Sequence, residues 1–189
     1  CMGSGEGFIF QRFSRNGERV GGNVHFARGC ISNYTAPSAM NEAGDLAFVF
    51  SQETPEAENE RYLFLQYFTF GGDSLGPKVR VNETGRAYLD PAVSNNKITI
   101  NETGDCIVTW TQIDNGRSEI WFRYFQRGGQ PGAPPQQLTS AAGTGENYRP
   151  FILTNGSGIN YILWYTGDDS VLWAQLFNKD WEKQGDPFY

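Results

Sequence analysis

A strand signature that recurs four times constrains this chain more than any other feature. It reads FIFQRF at 8–13, LFLQYF at 63–68, IWFRYF at 120–125 and LWAQLF at 172–177. The closing residues Phe13, Phe68, Phe125 and Phe177 stand 55, 57 and 52 residues apart. Four residues beyond them come Gly17, Gly72, Gly129 and, off the pattern, Trp181. A second signature keeps the same period: a proline, a short segment, a turn with glycine, then an apolar strand ending in an aromatic. Its copies run from Pro37 to GDLAFVF at 44–50, from Pro91 to GDCIVTW at 104–110, and from Pro150 to GINYILW at 158–164. Two independent signatures at one period define a repeat protein.

Each unit reads as four strands. In the middle copy they are expected near 77–82, 91–100 with a break, 105–111 and 119–125. Asn16-Gly17 and Gly71-Gly72 are hairpin signals. The strand at 105–111 is apolar on both faces, with Cys106, Val108 and Trp110 on one and Ile107 on the other, so it belongs inside stacked sheets. No useful stretch carries a 3.6-residue apolar period. Aromatic residues at 15%, with 23 Gly and 9 Pro, suit short strands and tight turns. The fold class is therefore all-β, most simply a β-propeller-like stack of about three four-stranded repeats of 52–57 residues plus one extra outer strand. The units are expected at 14–68, 69–125 and 126–177, after a leading strand at 8–13 and before a tail at 178–189, as one repeat module over 1–189. A β-sandwich or a solenoid is the alternative. Three blades do not close a ring. The chain is then a piece of a longer one, or copies associate into six blades, or the fold is not a propeller. An unpaired strand at 8–13 or 171–177 offers a sheet edge to another chain.

The run from Phe10-Gln11-Arg12-Phe13 through Asn16-Gly17 to Val20-Gly21-Gly22, followed by Gly104-Asp105 and Ile107 to Trp110, resembles tandem repeats of large secreted or surface proteins of bacteria. The resemblance covers about residues 7–177. It implies a surface, adhesion or scaffold module with no common enzymatic activity. The chain departs from the pattern at Gln66-Tyr67-Phe68, at Arg123-Tyr124-Phe125 and at Trp181. The resemblance carries over no functional residue.

The chain's own chemistry points the same way. The formal net charge of −6 and the single His25 argue against a nucleic-acid partner, which requires a basic face. No apolar run approaches the roughly 20 residues of a membrane span. His25, in an alternating strand, reads as a half-exposed structural residue and not as part of a nucleophilic triad. Gly-x-Ser-x-Gly, phosphate-loop and His/Cys metal patterns are absent from the sequence. Asp45 and Asp105 recur in register after a turn glycine, which marks turn acids more than a glycosidase pair. Asp114-Asn115 and Asp168-Asp169 offer oxygen ligands for Ca²⁺ without a spaced ligand series; no other cofactor is expected. Cys106 reads as a small buried residue, and its pairing with Cys30 is open. Cys1 ahead of Gly3-Ser4-Gly5 reads as a fragment boundary or as the start of a processed lipoprotein. The sequons at Asn33, Asn82, Asn101 and Asn155 suit surface loops of a secreted protein, though the turn role of Asn is preferred.

Candidate binding residues fall in two columns. Trp121 and Trp173, with Ile9 and Phe64, form one; Gln66, Arg123 and Gln175, with Gln11, form the other. The aromatic column packs between sheets or stacks on a sugar or a partner. The polar column bonds neighbouring strands or lines a groove. The expected function is a non-catalytic extracellular binding or scaffold module at the cell surface, within a larger surface assembly. Its partners are expected to be other copies of itself or a larger surface protein, with glycan as a further candidate. A carbohydrate-binding propeller lectin is the alternative, and a glycoside hydrolase using loop carboxylates the second.

Overall fold

The structure, a computed structural model, describes residues 7–27, 36–53, 61–83, 86–87, 96–114, 116–139, 146–155, 159–167 and 171–189. The described residues are all-β and form four separate antiparallel sheets, none of them closed. The first holds β1 (Phe8–Phe13) and β2 (Arg19–Phe26). The second runs in order through β3 (Ser38–Met40), β4 (Leu46–Glu53), β5 (Arg61–Phe68) and β6 (Val79–Arg80). In the third, β7 (Arg86–Ala87) and β8 (Asn96–Ile100) share one edge of β9 (Cys106–Asp114), which pairs with β10 (Arg117–Phe125) and then β11 (Gln136–Gln137). The fourth is a meander of β12 (Asn147–Thr154), β13 (Asn160–Thr166), β14 (Val171–Phe177) and β15 (Lys183–Phe188).

Sequence and structure differ in how strands are grouped. Hydrogen bonding divides the chain one strand later than units ending at Phe68, Phe125 and Phe177. The leading element is a pair, β1 with β2, and not a lone outer strand. Residues 178–189 contain β15, which pairs with β14. In the second and third sheets the last strand is only two residues long, β6 and β11, and carries no period by which its partner is legible. Cys106 is a buried free thiol. Residues 88–95, 168–170, Cys1, Cys30, Asn33 and Asn115 lie outside the described residues.

Alternation along the strands accounts for the stacking. β4 turns Phe48 and Phe50 to one side, where they meet Phe8, Phe10 and Phe26 of the first sheet. It turns Ala47 and Val49 to the other, joined by Leu63, Leu65 and Tyr67 against Cys106, Val108, Trp110 and Phe125. The third sheet then presents Ile107, Ile120 and Phe122 to Ile162, Trp164 and Phe177 of the fourth. Three apolar junctions therefore separate four sheets. Each buried large side chain at a junction contributes about 1.5–3 kcal/mol through removal from water. The aromatic ends of paired strands coincide in register, Phe50 opposite Phe64, Trp110 opposite Trp121 and Trp164 opposite Trp173.

Candidate functional site: the turn face

The turns from β3 to β4 and from β8 to β9 are built alike, and the described ends of the β12–β13 connection carry the same bond. Asn41, Asn101 and Asn155 each accept, on Oδ1, the backbone N–H four residues on, from Asp45 at 2.9 Å, Asp105 at 2.8 Å and Ile159 at 2.9 Å. A short amide side chain closes a turn in this way more readily than any apolar residue. Gly44 and Gly104 hold the required left-handed backbone, at φ 83° and 90°. The turns after β1, β5 and β14 use Ser14, Thr69 and Asn178 in the same role, accepting from Glu18, Asp73 and Glu182.

These turns also tie sheet to sheet. Arg127, in the turn after β10, forks onto Asp45 of the second sheet, with Nε–Oδ2 2.6 Å and Nη2–Oδ1 2.9 Å. The backbone N–H of Arg127 donates to Asp105 Oδ1 at 3.0 Å. The hydrogen bonds from Arg127 hold the Asp45 carboxyl below the usual carboxylate range, against the opposing effect of its burial. Burial works to raise the Asp105 carboxyl, but bonds from Thr103, the Arg127 amide, Tyr124 and Asn101 outweigh it and leave the group lowered. Asn41 Nδ2 also reaches the carbonyls of Asn101 and Glu102.

Between the turns of the second, third and fourth sheets lies a cavity of about 600 Å³. Its walls carry Asn41 and Glu42 from one turn, Glu102, Thr103 and Asp105 from the next, and Asn155, Asn160, Lys179 and Trp181 from the fourth sheet. The lining thus includes three acidic residues and one lysine, among amides and hydroxyls, with a single indole. Trp181 stands where the other copies have glycine and adopts their left-handed backbone, φ 60°. A bulky residue in that region is an outlier with an energetic cost. Its ring rests on Phe177 at 5.9 Å between centroids.

The polar column identified from sequence does not converge on this cavity. Each member instead donates to the carbonyl ten residues on or its neighbour. Gln11 reaches Val20 and Gly21, Gln66 reaches Gly76 at 2.8 Å, Arg123 Nε reaches Ala133 at 2.9 Å, and Gln175 reaches Gln184 and Gly185 at 3.3 and 3.2 Å. At Gln11 and Gln175 the strand register slips. The amide supplies a donor at the bulge, where the backbone ladder is broken. Arg123 goes further, with Nη1 on the carbonyl of Val81 and Nη2 on Glu83 at 2.9 Å, which pins the third sheet to the second.

Trp121 and Trp173 are half-buried and pack against the junctions. Trp173 lies 4.9 Å from the ring of Tyr189. Trp121 Nε1 is buried with no partner among the described residues; the residue lines a cavity of about 200 Å³ with Glu83, Gln112, Pro134 and Pro135. His25 is exposed, opposite Ile9. Among the described residues no group of three His, Cys, Asp or Glu side chains is placed to hold a metal ion, and no helix is long and apolar enough to cross a membrane. Asp168 and Asp169 lie outside the described residues.

Of the sequon residues, Asn82 is fully buried and its Oδ1 accepts the Leu63 N–H at 2.8 Å. A glycan, which is bulky and solvated, has no room there in the folded chain. Asn101 and Asn155 are exposed and close the turns already described. Sequence reasoning passed over Asn41 and Arg127. Their signals were present: Asn-x-x-Gly precedes β4, β9 and β13, and Arg127 and Lys179 share a turn column that follows the closing phenylalanine. No protein-family model matches the chain, and no curated protein matches it.

Proposed function

We propose that this chain is a non-catalytic binding or scaffold module of the extracellular or cell-surface kind, with propeller-like stacked sheets, working within a larger surface assembly. One observation carries the reading: the recurring polar residues are engaged in holding the stack together. The column of Gln11, Gln66, Arg123 and Gln175 bridges strands, the turn asparagines close hairpins, and Asp45 is clamped by Arg127. The lowered carboxyls of Asp45 and Asp105 lend further support, because a glycosidase acid needs a raised one.

A second reading, a carbohydrate-binding module, is favoured by Trp181. Its indole lines the turn-face cavity beside amides and hydroxyls, and an aromatic ring among polar groups suits a sugar ring. A panel of soluble polysaccharides separates these readings, assayed for binding by calorimetry and for cleavage by reducing-end release. No release is expected. Release abolished by Asp105→Asn overturns the non-catalytic reading. Binding without release, lost in Trp181→Ala, establishes the carbohydrate reading.

A further inference from the structure

Every junction in the stack obeys one rule. The side that a sheet turns toward the next sheet carries the position of Leu63 in β5 and Ile120 in β10. The side that it turns toward the previous sheet carries the position of Phe68, Phe125 and Phe177. Where both sheets are present these residues are covered: Leu63 is 1% exposed and Ile120 0%, Phe68, Phe125 and Phe177 are 5%, 0% and 0% exposed, and Phe8 of β1, the equivalent of Leu63, is half-buried against the second sheet. Two members of the set break the rule. Leu172 of β14, equivalent to Leu63, is 43% exposed, and Phe13 of β1, equivalent to Phe68, is 55% exposed.

These two residues lie on the opposite outer sides of the stack. The outer side of the fourth sheet adds exposed Phe151 and Leu153 from β12, while the outer side of the first adds Ile9. Among the described residues, no sheet packs on either of these two sides. They are the two halves of a contact that this chain already makes three times.

We infer that the outer side of the fourth sheet docks the outer side of the first sheet of a second copy, head to tail. One occupant then covers both exposed sides with the chemistry used inside the chain. Such a contact is heterologous, so it closes into a ring or extends into a filament according to the rotation at each step. A two-copy ring has twice the 21.1 kDa chain mass. This inference rests on the scaffold reading but fails separately from it. A monomer that binds a different surface protein and no polysaccharide ends self-stacking and leaves that reading standing.

The test is light scattering after gel filtration across a concentration series, on the parent chain and on Phe13→Glu and Leu172→Glu. Both changes fall on exposed positions, and circular dichroism checks that each variant is folded. The parent is expected to associate. Each variant alone is expected to associate about 100-fold more weakly, because a carboxylate is costly to bury in an apolar contact. An equimolar mixture of the two variants is the decisive sample. The Phe13→Glu copy keeps a sound fourth sheet and the Leu172→Glu copy a sound first sheet, so the mixture regains one contact and forms a heterodimer. A monomeric parent overturns the inference. So does association lost in Leu172→Glu but untouched in Phe13→Glu, which signals two fourth sheets face to face, and so does a mixture that stays monomeric.

Discussion

At Gln175 a single amide does the work of a missing stretch of ladder. The side chain is 1% exposed and donates to the carbonyls of Leu176, Gln184 and Gly185, across the point where β14 and β15 slip in register. A buried acceptor left without a donor costs its full desolvation. Gln175→Ala is therefore expected to lower stability by about 1–3 kcal/mol in urea denaturation. Gln66→Ala, at a half-buried site where Ser74 also bonds the Gly76 carbonyl, is expected to cost less. Equal losses at both positions would show that the bulge contact is not what the amide supplies. The polar column was legible as a column because its period is the repeat's own. Its role was not, since the accepting carbonyls lie about ten residues on, within β2 and β15 and just ahead of β6 and β11, and a backbone carbonyl leaves no mark in the sequence.

Between elements, the turns act as clasps as well as connections. Asp45 immediately precedes β4 and Arg127 follows β10, 82 positions apart in the chain, yet they meet as a fork across two sheets. The folded-state carboxyl of Asp45 is lowered, mainly by the hydrogen bonds from Arg127. Its contribution to stability is thus present above the ordinary carboxylate pKa of about 3.9 and is lost as pH falls through the still lower folded value. Thermal denaturation across pH 7 to about 2 should show stability falling below about pH 4, with a shallower fall in Asp45→Asn. An unchanged acid profile in that variant would remove Asp45 from the account. The recurrence of Asp45 and Asp105 after a turn glycine was readable as turn chemistry. Their partner was not, because a lone arginine in a Gly-rich turn has no pattern that names the distant acid it reaches.

Across the whole molecule, the sheets depend on neighbours in a row, so stability is approximately a sum of sheets and junctions. Trp110 sits fully buried in the middle junction. Trp110→Ala is expected to cost about 3–5 kcal/mol and to uncouple the first two sheets from the last two. Differential scanning calorimetry should then resolve two transitions where the parent shows one. A single sharp transition in the variant would argue against row-wise coupling. Cys106 shares this junction, where burial pushes its thiol up to about 12, in keeping with an unreactive core residue.

The sequence by itself determined the period, the all-β class, the places of the apolar strands and the burial of both faces of β9. These are short-range properties: alternation along a strand and the turn chemistry of Asn and Gly act within a few residues and recur wherever the pattern does. Only the tertiary structure decided which sheet claims each short fourth strand, what the glutamine column bonds, where Arg127 lands and which two sides stay uncovered. Those outcomes depend on contacts formed after the chain has folded back across tens of residues. Pairing and stacking at that range are set by the shape and company of whole sheets, and a two-residue strand or a single arginine carries no local trace of them.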